Sequence, residues 1–163
     1  MSSALDREFR RQVRFYLDDA AAKVARTWPL LSEEQVWLRP NAQTLAPATQ
    51  LIHLAGNMRQ WVGTHLSGLP PVRRRGGEFV VDPSRGKDDI YAAFAAQVEH
   101  LRARIAAPSD LLTPHTIQGH DTTELGVWMH QVEHLSYHTA QLVYATKAVL
   151  GRELGFYDDW ALG

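Results

Sequence analysis

Four segments of this chain repeat apolar residues at helical spacing, and proline or glycine closes each one. In the first, residues 4–28, Leu5, Phe9, Val13, Tyr16, Leu17, Ala20 and Val24 form the stripe, and Pro29 follows. The second, 47–66, starts on Pro47, whose missing N–H costs nothing in a first turn. It carries Leu51, Leu54, Met58, Trp61 and Val62, and Gly68, Pro70 and Pro71 end it. Gly56 and Gly63 inside it each cost about 1 kcal/mol relative to alanine, which close packing against a neighbouring helix would explain. The third starts at Lys87-Asp88-Asp89, carries Ile90, Phe94, Val98, Leu101 and Ile105, and stops at Pro108. Thr122 or Thr123 caps the fourth, which runs to Leu150 with Gly151 as a left-handed stop.

Between these segments, Ser32-Glu33-Glu34-Gln35 reads as the capped start of a short helix that ends at Pro40. Residues 69–86 and 114–122 read as connections, the second with a short extended piece. The tail, with Phe156, Tyr157 and Trp160, is expected to pack on the body. The reading is one all-α domain over 1–163: an antiparallel four-helix bundle with a short additional helix and a C-terminal tail.

Composition narrows the chemistry. The chain has 163 residues, a formal net charge of -1 and no cysteine, so disulfides, thiolate ligands and cysteine nucleophiles are excluded. Its basic run, Arg73-Arg74-Arg75, has no interleaved aromatics and reads as a solvated loop, so no nucleic-acid partner is expected. No apolar run approaches the roughly 20 residues needed to cross a bilayer. The N-terminus has no apolar core of a secretory leader, and a cytoplasmic location is the expectation.

Eight histidines stand out against this background, and His130, His134 and His138 lie four residues apart. On a wheel of roughly 100° per residue with His134 at zero, His138 falls near +40°, His130 near -40° and Gln141 near -20°. The apolar arc of that helix, with Leu135, Leu142 and Trp128, is centred roughly 110° away on the side of His138. Two imidazoles four residues apart can reach one ion, and the pair His134/His138 leans towards the core. On the second segment His53 lies at the edge of the apolar arc, with Asn57 and Gln60 beside it. Two such edges face to face would put His53, His134 and His138 around one divalent ion and leave a coordination position open. Imidazole ligation suits zinc, nickel, iron(II) or copper, and spacing does not choose among them. Trp61, roughly 80° from His53, is placed to wall a cavity beside the ion. His130 reads as a surface or supporting residue, His65 as packing, His100 as solvent-facing, and His115 and His120 as loop residues. No carboxylate lies in either histidine stripe, and His-Glu-x-x-His is absent.

The segments LIHLAGNMRQW (51–61) and HLSYHTAQLVY (134–144) resemble the two signature helices of the DinB/YfiT-like metalloenzyme superfamily. The stretch LSEEQVWLRP (31–40) and the connection RGGEF (75–79) are similar to one bacterial subfamily. The resemblance covers about residues 5 to 151. It implies a metal triad of one histidine on the second helix and a His-x-x-x-His pair on the last, here His53, His134 and His138. It implies that Asn57 and Gln141 contact ligands or substrate without binding metal. It also implies a metal that activates a low-molecular-weight thiol, or water, for transfer, isomerisation or hydrolysis of a small molecule, in a protein that pairs as a homodimer. The alternative is a metal-binding or stress-related bundle that binds a small molecule without turnover.

Overall fold

The computed structural model describes residues 3–39 and 41–156. Tyr157 and Trp160 lie outside the described residues. Within them the chain forms four long helices and one two-stranded hairpin: α1 (Ala4–Thr27), α2 (Pro47–Met58), α3 (Lys87–Ala106), β1 (Pro114–Ile117), β2 (His120–Thr123) and α4 (Glu124–Leu150). None of these helices is long and apolar enough to cross a membrane.

The ends of the helices follow from local chemistry. Ser3 accepts the N–H of Asp6 and caps α1, and Thr123 accepts the N–H of Gly126 and caps α4. Gly151 stops α4 at φ 63°, a conformation that an L side chain resists. Ser32 and Gln35 exchange hydrogen bonds in a reciprocal cap (3.1 and 2.9 Å), but the element they start is a single 3-10 turn, Gln35–Trp37.

The helices pack in a closed ring of neighbours. α1 lies against α3 and α4, and α2 lies against α3 and α4. Val13, Leu17 and Val24 meet Leu51, Leu54, Met58, Phe94, Leu101, Trp128, Leu135 and Leu142 in one core. Each such side chain contributes about 1.5–3 kcal/mol on full burial. The stripe of α1 is narrower than its periodicity implies, because Leu5 and Tyr16 are exposed.

Two elements differ from the sequence reading. The second long segment is α-helical only to Met58 and continues as a π-helical stretch, Arg59–Thr64. The polar connection before α4 is a hairpin in which Ile117 pairs with His120, so the protein is mainly rather than wholly helical. Gln118 (φ 54°) and Gly119 (φ 81°) make its two-residue turn. Two consecutive positive φ angles match the right-handed twist of the strands, and buried Ile117 fastens the hairpin to the core.

Candidate metal centre

His53 lies on α2, and His134 and His138 lie one turn apart on α4. Each offers a ring nitrogen, and the three nitrogens lie within 4.8 Å of one another. His53 and His138 are buried, and His134 is partly exposed. The closest pair is His53 Nε2 and His134 Nε2, 3.0 Å apart. Two nitrogens bound to one ion at about 2.0–2.1 Å stand roughly 2.9 Å apart at a right angle and roughly 3.3 Å apart at the tetrahedral angle. The observed spacing falls between these values. Nδ1 of His138 is buried without a hydrogen-bond partner, which is costly for a polar atom unless something else satisfies it. The donor set is three imidazoles with no thiolate, and it fits a borderline divalent ion.

The orientation of His53 comes from outside the two helices. Glu78 Oε2 lies 2.8 Å from His53 Nδ1, and Glu78 is buried. Arg73 holds the same carboxylate through Nε to Oε1 (2.6 Å) and NH2 to Oε2 (2.8 Å). Burial is the largest influence on Glu78 and favours its neutral form, but the hydrogen bonds from Arg73 and His53 outweigh it, so its pKa is lowered. An ionised carboxylate only accepts hydrogen bonds. Arg73 NH2 also lies near His53 Nδ1, at 3.3 Å, but the shorter contact with the carboxylate favours the proton on Nδ1. This leaves the lone pair of Nε2 for the centre, the arrangement that orients metal-bound histidines.

Arg73 and Glu78 both belong to the stretch read from the sequence as a connection. Arg73 is not part of a solvated basic loop: its side chain is 7% exposed. Its NH1 also donates to Gln60 Oε1 (2.6 Å), which accepts Gln118 Nε2 from the hairpin turn as well (2.7 Å). The missing carboxylate of the two helix stripes is thus supplied by the loop. Gly56 makes room for it, because a Cβ there would lie 2.1 Å from Glu78 Oε1. The close neighbour of this glycine is a side chain of the connection and not a helix. Gly63 likewise faces the guanidinium of Arg59.

A family model described as "Protein of unknown function (DUF1572)" matches residues 4–156. The chain belongs to the DUF1572 family. No curated protein and no solved structure matches it.

In this DUF1572 chain the remaining predicted site residues surround the triad at different distances. Asn57 is buried and tied to α4: its Oδ1 accepts Gln131 Nε2 (2.9 Å), and its Nδ2 lies 3.3 Å from His130 Nε2. The ring of Trp61 stacks on His130 at 3.9 Å, and its Nε1 is buried without a partner. His130 in turn stacks on His134 at 5.1 Å, so it supports the triad from the side. Gln141 acts on His138 from the next turn and favours its charged form, without reaching a hydrogen bond to the bare Nδ1. Phe79 (5.0 Å from the His53 ring) and Tyr137 (5.2 Å from the His138 ring) are exposed aromatics beside the histidine triad that the spacing argument did not select. His100 is not simply solvent-facing; it is half-buried, with Nε2 3.0 Å from Ser67 Oγ.

The electrostatics favour neutral ligands. Burial first, then the neighbouring His138, His130, His53 and Arg73, lower the pKa of His134 from 6.5 to about 3. Burial and then His53 lower that of His138 to about 4, against the pull of Gln141. Neutral imidazoles converging at this spacing can bind a cation without first losing protons near neutral pH.

Periodicity does not select Arg73, Glu78 or Phe79, because the connection is irregular apart from one 3-10 turn, Arg75–Phe79. The resemblance of RGGEF (75–79) marks the stretch without giving Glu78 or Phe79 a role. The trace they leave in the sequence is Gly56, three residues after His53, a costly residue on a helix that something must lie against.

Proposed function

We propose that this protein is a metal-dependent enzyme of the DinB/YfiT-like superfamily, a thiol S-transferase or hydrolase. In this reading His53, His134 and His138 hold one divalent ion, zinc, nickel or iron. The observation that carries it is the convergence of the three ring nitrogens, one of them oriented by a buried, arginine-held carboxylate. The ring of helix contacts supports an antiparallel four-helix bundle as the scaffold.

A metal with an open position supplies the chemistry by lowering the pKa of a bound thiol or water. The chain's own residues do the rest. Glu78 and Arg73 keep the proton of His53 on Nδ1. Phe79 and Tyr137 offer apolar surface beside the ligands for the body of a small reactant. Neither oxygen of Glu78 is free to act as a base, since His53 and Arg73 occupy both. A thiol, more acidic than water, would give up its proton to solvent with less help from a base, so it suits a site without a free carboxylate better than water does. The same locked carboxylate favours the second reading, a bundle that binds metal and a small molecule without turnover.

The partners of this reading are a small-molecule substrate and a thiol, in a cytoplasmic homodimer without nucleic acid or membrane. Incubation of the metal-loaded protein with a small electrophile and a panel of low-molecular-weight thiols tests it. Thiol-dependent turnover that disappears in His134→Ala supports the enzyme. Full metal occupancy with no turnover of the electrophile, with or without any thiol of the panel, leaves the binding protein.

A further inference from the structure

A cavity of about 520 Å³ lies on the far side of the Glu78–Arg73 pair, between α2, α3 and the connection. Its apolar part is built from small and branched side chains, Ile52 and Ala55 on α2 and Ile90, Ala93 and Ala96 on α3. Its polar part is one-sided. Arg59, Arg73, Arg74 and Arg85 all line it, and Glu78 is the one acidic residue among the lining residues. Four guanidinium groups therefore face one carboxylate, in a chain whose formal net charge is -1.

That carboxylate cannot balance the excess. Both its oxygens are taken by Arg73, and one also by His53. Arg74 and Arg85 are exposed and have no side-chain hydrogen bond or ion pair among the described residues. The guanidinium of Arg59 is turned aside, with NH2 donating to the carbonyl of Pro70 and NH1 against Gly63, so Arg74 and Arg85 are the unpaired cations among the described lining residues. A guanidinium fork matches the geometry of a carboxylate or phosphate. The volume suits a small organic molecule rather than a bare ion.

The geometry points to a binding site for a small organic oxyanion, a carboxylate or phosphate on a short apolar body, in this cavity and separate from the histidine centre. Arg74 and Arg85 grip the charged group at the mouth, and the apolar walls of α2 and α3 take the body. The site does not rest on the metal reading, because its distinguishing residues are not ligands.

Calorimetric titration of the full chain, metal-loaded and after chelation, with benzoate, phenyl phosphate and inorganic phosphate tests it. The expected result is binding of benzoate or phenyl phosphate, stronger than that of inorganic phosphate, with the better of the two naming the charged group. Arg74→Gln with Arg85→Gln should weaken it about tenfold or more, since each removes a charge-assisted hydrogen bond. His134→Ala should leave it unchanged, as should Arg152→Gln, a change of surface charge elsewhere. Absence of binding overturns the proposal. So does binding that is lost in His134→Ala, which would put the anion on the histidine centre, or binding that falls equally in Arg152→Gln, which would make it bulk charge.

Discussion

Glu78 and Glu124 are both buried carboxylates clamped by an arginine, yet they end on different chemistry. Glu124 accepts from Arg104 NH2 (2.8 Å), Ser109 Oγ (2.5 Å) and Trp128 Nε1 (3.3 Å). Its partners come from the end of α3, the loop that follows and α4, so it fastens that end of the fold. Glu78 accepts from Arg73 and from His53, whose other nitrogen faces two further imidazoles. The same device thus serves structure where its last partner is an indole and a hydroxyl, and serves a site where its last partner can bind a ligand. A buried pair alone is weak evidence of function; the chemistry of the final acceptor or donor distinguishes the two.

That contrast can be broken by removing each carboxylate in turn. Glu124→Ala leaves Arg104 without its buried partner and should cost about 3–5 kcal/mol of stability, read as a lower urea midpoint. Metal uptake per folded chain should stay as it was. Glu78→Ala strands Arg73 in the same way and should cost comparable stability, but it should also weaken metal affinity by about 10–100-fold, read by competition with a chelator on folded protein. If Glu124→Ala weakens metal binding as much as Glu78→Ala does, the two regions are not distinct in role.

Acid should act on the histidine region in a defined direction. His134 and His138 have folded pKa values of about 3 and 4, below the ordinary 6.5. Below 6.5 the unfolded chain takes up protons on them that the folded chain refuses, so stability falls as pH drops through that window. Glu78, also lowered, adds the same sign: its contribution is complete above its ordinary value and is lost as pH falls through its folded one. Urea midpoints of the chelated protein should therefore fall from neutral pH to about 4, and fall less in a double His134→Ala, His138→Ala variant. A slope identical in the two proteins would place the titrating groups elsewhere.

The smallest expected effect sharpens the comparison most finely. Gly56→Ala replaces neither a candidate ligand nor the carboxylate, but its Cβ would meet Glu78 Oε1 at 2.1 Å and displace it. The shifted carboxylate should lower metal affinity by about tenfold, the low end of the range for such supporting contacts. Unchanged affinity would mean that the position of Glu78 does not matter to the site.

Much of this was legible in the spacing of residues. The boundaries of α1, α3 and α4 follow from Pro29, Pro108, Thr123 and Gly151, because caps and breakers are local chemistry; the cap at Ser3 emerged only in the structure. Helical periodicity also put His53, His134 and His138 on facing edges. It could not reveal Arg73 and Glu78, since a single 3-10 turn, Arg75–Phe79, is too short to show a period and their positions depend on contacts with α2. Arg73 looked solvated because charge runs usually are. The extended piece expected in 114–122 is present as β1, but its pairing into a hairpin is not legible, because the strands are short and polar and the turn depends on Gln118 adopting a positive φ. The π-helical stretch after Met58 keeps an apolar pattern that an ordinary helix would also show.

The central claim is that His53, His134 and His138 form one metal site, and metal content tests it most directly. The purified protein, stripped and then dialysed against zinc, nickel or iron(II), should hold about one ion per chain by plasma emission analysis. His134→Ala should lose that stoichiometric ion, while His100→Ala, altered away from the triad, should keep it. A full complement of metal in His134→Ala, or none in the unaltered protein with any of the three metals, would contradict the account.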